Sequence, residues 1–249
     1  MTRTACRTLN NRSAGAYPGF FCFRRYMMKI QIESNLIRYL LRNAYFLNGT
    51  AYAGKSTMVR LLAEKYDGIC CGENYHLIFQ EATDPEHQPC TGYFQTMSGW
   101  QEFVSRSPEE YASWIEGSAR EAAEMEILRL VQLSQEGRRI FVDTNISVDI
   151  LKEIAPWNHV AILLSPHSMS VERFFDRGDP EKQFILQQLQ AHPDPEWAMA
   201  NYRACLEKIN SRESYDAFAA SGLFTHVRTE KSTIEGTLSI LARHFGLEP

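Results

Sequence analysis

Eight residues constrain this chain more than any others: Gly49-Thr50-Ala51-Tyr52-Ala53-Gly54-Lys55-Ser56 fit the pattern G-x-x-x-x-G-K-[ST] without a mismatch. An apolar run, Ala44-Tyr45-Phe46-Leu47, leads into them and reads as a buried strand ending at Asn48-Gly49. A helical stretch leads out, from Lys55 to about Lys65, with Met58, Leu61 and Leu62 on one side. Strand, glycine loop and helix in that order suit the binding of phosphate. The glycines let the backbone wrap so that successive N–H groups point inward, and the helix adds its positive dipole end. The residues expected to hold a nucleotide are Gly49, Thr50, Ala51, Tyr52, Ala53, Gly54, Lys55, Ser56 and Thr57. Lys55 is expected to reach the β- and γ-phosphates and the Ser56 hydroxyl to ligate Mg²⁺. Such a site also needs a carboxylate at the end of a neighbouring strand, and Asp143, closing the run Ile140-Phe141-Val142, is the candidate.

Strands and helices alternate along the rest of the chain, which predicts an α/β fold with a mainly parallel sheet of five strands flanked by helices. Besides the strand before the loop, the strand candidates are Gly68 to Cys71, Ile140 to Val142, His159 to Leu164 and Phe224 to Val227. A short helix is expected over Leu36 to Leu41, capped by Ser34 or Asn35. Ser107, Pro108 and Glu110 form a capping box that opens a long helix to about Gln135, closed by Gly137. Ser170 to Asp176 reads as helix and breaks at Gly178-Asp179-Pro180, and Asp194-Pro195 caps another through about Lys208. Ser232-Thr233-Ile234-Glu235 reads as a second capping box, opening a last helix that closes near Phe245-Gly246. Residues 80–106 are turn-rich and read as an insertion or mobile region outside the core. Their aromatic residues Tyr93, Phe94, Trp100 and Phe103 either line an apolar pocket or pack the insertion itself.

The balance of charge narrows the partners. With 26 Lys+Arg against 30 Asp+Glu the net charge is −4, so no global basic field attracts extended nucleic acid or an anionic membrane. Apolar runs such as Val160 to Leu164 are far shorter than the roughly 20 residues needed to span a bilayer. The six cysteines form no Cys-x-x-Cys pair and read as reduced thiols, the expectation for a cytoplasmic protein. Residues 1–26 carry five arginines and no acidic residue. They are set aside as a basic, poorly ordered extension (1–27), with Met27 or Met28 a natural start, leaving 28–249 as a single domain.

These residues resemble the small P-loop kinases, the adenylate, shikimate, gluconate and polynucleotide-kinase-like group. Gly49 to Thr57 carries the resemblance, with Phe141-Val142-Asp143-Thr144-Asn145 and the arginine-bearing stretch after the fourth strand; it covers roughly Tyr45 to Phe245. Val-Asp-Thr-Asn is similar to the Val-Asp-Ala-Thr-Asn of polynucleotide-kinase-like members. The resemblance implies the three-layer P-loop NTPase fold with a helical lid, over residues 170–192, and an acceptor-side insertion over 80–120. It implies that Arg173 and Arg177, four residues apart, are lid arginines over the phosphates. Glu73 then takes the acceptor's proton, with His76 in reserve, although the family more often has Asp there. The insertion is longer than a minimal acceptor-binding segment, and the lid lacks the dense arginines of nucleoside-monophosphate kinases.

The function so implied is transfer of the γ-phosphoryl group of Mg-ATP to a hydroxyl of a small-molecule acceptor. Two alternatives stand beside it: a nucleotide-binding ATPase or regulator without such an acceptor, and a polynucleotide 5′-hydroxyl kinase. No Asn-Lys-x-Asp run for guanine selection is present. The sequence leaves acceptor identity and oligomeric state open.

Overall fold

Five strands form one all-parallel sheet in the computed structural model, which describes residues 32–166, 174–175 and 180–248. The strands are β1 (Ala44–Gly49), β2 (Ile69–Cys71), β3 (Ile140–Asp143), β4 (Val160–Leu164) and β5 (Phe224–Val227). Their order is β2-β3-β1-β4-β5, so β1 sits at the centre. Phe46 pairs with Val142 on one side and with Val160 on the other. Because β1, β3 and β4 are covered on both faces, they are continuous apolar runs rather than alternating ones. The expectation of a mainly parallel sheet is thus met by a wholly parallel one.

Successive side chains along a strand point to opposite faces, which divides the core in two. Phe46, Ile140, Val142 and Val160 pack on one face with Leu130 and Leu133 of α5 (Pro108–Ser134) and with Leu151 and Ile154 of α6 (Val148–Ile154). Tyr45, Leu47, Phe141 and Leu163 pack on the other with Met58, Val59 and Leu62 of α2 (Lys55–Lys65) and with Leu241 of α10 (Ile234–His244). Fully burying one such phenylalanine or leucine contributes about 2–3 kcal/mol. Among the described residues no helix is long and apolar enough to cross a membrane. The described cysteines, Cys70, Cys71, Cys90 and Cys205, are free thiols.

A third apolar cluster lies apart from the sheet. Phe103 and Val104 of α4 (Trp100–Val104) and Tyr111 of α5 join Leu189 of α7 (Pro180–Gln190) and Tyr202, Cys205 and Leu206 of α8 (Pro195–Ile209). Tyr93 and Phe94 of α3 (Tyr93–Thr96) belong to its aromatic contacts: Phe94 lies 5.4 Å from Trp100, and Phe103 lies 5.1 Å from Trp114, between ring centroids. The reading of residues 80–106 as outside the core is therefore corrected. Phe103 and Val104 are 4% and 1% exposed, and the aromatic residues of this stretch pack on one another and on α5 and α7.

The expected capping box at Ser107 is formed: its hydroxyl accepts from Glu110 N, and Glu110 Oε2 accepts from Ser107 N at 2.9 Å. The second expected box is not. Thr233 caps α10, accepting from Gly236 N at 3.0 Å, which puts Glu235 one position too early to reach back. Ser232 instead accepts from Thr229 N at 2.9 Å. The first helix, α1 (Ser34–Leu40), begins after Glu33 without a side-chain cap, so neither Ser34 nor Asn35 has that role. It is held by Arg38, which donates to the Glu153 and Lys152 carbonyls near the end of α6. Among the described residues there are also α9 (Arg212–Ala219) and two 3₁₀ segments, over Tyr75–Ala82 and Trp157–His159.

Candidate functional site

At the carboxyl ends of β1, β3 and β4 the Gly49–Thr57 loop is held from several sides. Gly49 has φ +124°, and a Cβ there would collide with the Leu163 carbonyl on β4. That carbonyl accepts from Thr50 N at 3.0 Å, so the loop leaves the sheet only where a side chain is missing. Tyr52 (φ +63°) and Gly54 (φ +91°) turn the chain back, and Gly54 is the residue preceding α2. Asn48 anchors the start: its amide donates to the Ile146 carbonyl at 2.7 Å while its oxygen accepts from Gly49 N at 2.6 Å.

Ser165, fully buried one residue past β4, buttresses the loop from beneath. Its backbone N–H donates to Thr50 Oγ1 at 2.8 Å, and its hydroxyl donates to the Ala51 carbonyl at 2.6 Å. Arg228, one residue past β5, donates to the Tyr52 carbonyl at 2.9 Å. Neither residue, nor Asn48, was legible as part of the site. Each is a single polar residue at a strand end, and which strand ends are neighbours depends on a strand order that no local pattern encodes.

Lys55 and Ser56 open α2. Lys55 Nζ donates to the Thr50 carbonyl at 3.1 Å and to the Gly49 carbonyl at 3.4 Å, so its ammonium folds over the loop. Ser56 donates its hydroxyl proton to Asp143 Oδ2 at 2.6 Å. Asp143 is only 6% exposed. Burial pushes its carboxyl above the ordinary value, the Lys55 ammonium and the Ser56 hydroxyl pull it back, and the charge of Glu73 pushes it up again. The two predicted metal-binding residues are thus in contact, and the charge of Glu73, in the loop after β2, reaches Asp143. A hydroxyl beside a carboxylate is a pair of hard oxygen donors, the donor type that Mg²⁺ prefers.

His76 faces α5, its Nδ1 3.8 Å from Glu126 Oε1. There Glu126, 2% exposed, accepts from Thr144 Oγ1 at 2.5 Å and from Tyr75 Oη at 2.9 Å. Burial is the main cause that pushes its carboxyl up to about 7, with the charge of Asp143 adding to it. Sequence reasoning missed Glu126. A signal was present: it lies in register with the buried residues Ala122, Ala123, Leu130 and Leu133, a carboxyl on an apolar helical stripe. Arg173 and Arg177 lie outside the described residues.

Comparison of the chain with protein-family models, with curated proteins and with solved structures gives no match.

Proposed function

We propose that this chain is a P-loop phosphotransferase that moves the γ-phosphoryl group of Mg-ATP to a hydroxyl of a small-molecule acceptor. The observation that carries this reading is the contact of Ser56 with the buried Asp143, beside a loop whose Gly49 admits no side chain. The backbone of Gly49 to Thr57 cradles the phosphates, helped by the orphan N–H groups of the first turn of α2. Lys55 exchanges its two carbonyl partners for phosphate oxygens and neutralises their charge. Ser56 and Asp143 hold Mg²⁺, which when bound offsets the negative charge of the phosphates. Asn48, Ser165 and Arg228 keep the loop in shape, and catalysis is mostly positioning and electrostatics.

In this reading the acceptor binds on the β2 side, where Glu73 and His76 stand, and Arg173 and Arg177 belong to a lid over the phosphates. ATP rather than GTP is the nucleotide, and the enzyme works in the cytoplasm on a small acceptor, without extended nucleic acid.

The test is ADP release from Mg-ATP with pooled acceptors: nucleosides and nucleotides, sugar acids and shikimate-like acids, aminoglycoside-like alcohols, and 5′-hydroxyl oligonucleotides. Lys55→Ala serves as the blank. The expected result is release stimulated by one pool in the wild type and absent in the folded variant. Stimulation by oligonucleotides alone transfers the reading to a polynucleotide 5′-hydroxyl kinase. Mg-ATP binding with no stimulated release by any pool overturns the phosphotransferase reading in favour of a nucleotide-dependent regulator.

A further inference from the structure

Two buried polar atoms face each other without a hydrogen bond between them. Glu126 Oε2 accepts from both Thr144 and Tyr75, while Oε1 faces His76 Nδ1 at 3.8 Å. That nitrogen is buried and has no hydrogen-bond partner. A buried donor or acceptor left unmatched is uncommon in a folded protein. Here the missing contact needs a closure of only about 1 Å to reach ordinary hydrogen-bond length. The carboxyl oxygen that should receive it is already oriented, because its twin is fixed by two hydroxyls from β3's end and the 3₁₀ segment.

We infer that His76, oriented by Glu126, is the group that takes the proton from the acceptor hydroxyl. The inference rests on the phosphotransferase reading above and chooses between the two groups at the β2 side. When the segment over Tyr75–Ala82 closes on α5, Nδ1–H donates to Glu126 Oε1, which leaves Nε2 as the nitrogen with the lone pair. The acceptor oxygen forms a bond to the γ-phosphorus, the bond from that phosphorus to the β–γ bridging oxygen breaks, and its electron pair leaves on ADP. The hydroxyl proton passes to Nε2. His76 is the catalytic residue in this scheme and Glu126 the positioning residue.

The titratable groups facing Glu126 are Tyr75 and His76 from the 3₁₀ segment, Cys71 from β2 and Asp143 from β3. Burial holds the imidazole below its ordinary value, so His76 is neutral and able to accept a proton at neutral pH.

The test has two arms on the full chain. In the first, imidazole nitrogen resonances are followed between about pH 5 and pH 9 in the wild type and in Glu126→Gln, whose amide oxygen still accepts from Tyr75 and Thr144. Above about pH 7, where Glu126 is ionised, the wild type is expected to hold the imidazole proton on Nδ1; in Glu126→Gln the amide nitrogen faces Nδ1 instead, and the Nε2–H tautomer is expected. The same tautomer in both proteins overturns the pairing. In the second, turnover is measured with Mg-ATP and the acceptor found in the pools. His76→Gln is expected to lower kcat about 100-fold with KM for ATP unchanged. Glu126→Gln is expected to lower kcat about 10-fold with KM for ATP unchanged. A rate lost in Glu73→Gln but kept in His76→Gln overturns the assignment alone. Absence of transfer by the wild type removes the reading on which it rests, and the assignment with it.

Discussion

Two glycines of one loop should respond very differently to the same added methyl group. Gly49→Ala and Gly54→Ala both force an L-residue to positive φ, +124° and +91°. That strain costs about 1–3 kcal/mol at either position. Around Gly54 a new Cβ meets nothing within 4 Å, so the strain is the whole cost. At Gly49 the Cβ is driven into the Leu163 backbone, the residue it pairs with in the β1–β4 register. The two strands must part there, and the Leu163 carbonyl loses the Thr50 N–H at 3.0 Å. Leu163 is 1% exposed, so water does not replace that donor, and the unsatisfied group adds about 1–3 kcal/mol. Gly49→Ala should therefore cost about 2–6 kcal/mol, a large share of the roughly 5–15 kcal/mol that a domain has in total. Urea denaturation at pH 7, with both variants measured beside the wild type, reads the difference. We expect Gly49→Ala to be the worse by about 2 kcal/mol; equal costs, or the reverse order, refute the steric argument.

Glu126 should make stability depend on pH. Its folded value of about 7 lies above the ordinary 4.5, so the folded chain holds this proton more firmly than the unfolded one. The penalty for the buried charge is absent below about pH 4.5, grows as pH rises and is complete above about pH 7, at ~3 kcal/mol. Stability of the wild type should fall by that amount relative to Glu126→Gln across this window, and parallel urea curves would rule it out. Ser165→Ala removes the hydroxyl that holds the Ala51 carbonyl; it should cost about 1 kcal/mol in unfolding and weaken Mg-ATP binding about five-fold. Titration calorimetry checks this, and unchanged affinity argues against the buttress. Ser107→Ala should cost about 1 kcal/mol through loss of the box that starts α5, read by the same denaturation.

Much of the sheet was legible because its strands announce themselves. Tyr45-Phe46-Leu47, Ile140-Phe141-Val142 and Val160 to Leu164 are apolar on both faces, which only a covered parallel sheet requires. The loop and α2 were legible because glycines and a helix start have fixed backbone demands. Helices α6 and α9 were not: each is a single amphipathic stretch of 7 or 8 residues, too short for its periodicity to stand out. The Ser232 reading failed by one residue, since serine and threonine are adjacent and either can cap. At the site, Ser56 and Asp143 were expected to meet and do, across 87 positions of chain. His76, expected as the reserve base after Glu73, faces Glu126, a partner far along the chain on α5. Side-chain meetings between distant segments follow from the packing of α5 on the sheet, and no pattern within either segment contains that information.

The aromatic cluster beside α5 has a spectroscopic consequence. The chain has four tryptophans, and none lies on a strand. Trp100 and Trp114 are inside that cluster, whereas Trp157 and Trp197 are largely solvated at 57% and 46% exposure. A change of emission on unfolding therefore reports the aromatic lobe, while far-ultraviolet dichroism reports the backbone of the whole chain. If the lobe opens as its own foldon, the two melts will separate, and the gap between them measures the free energy of that opening with no label attached.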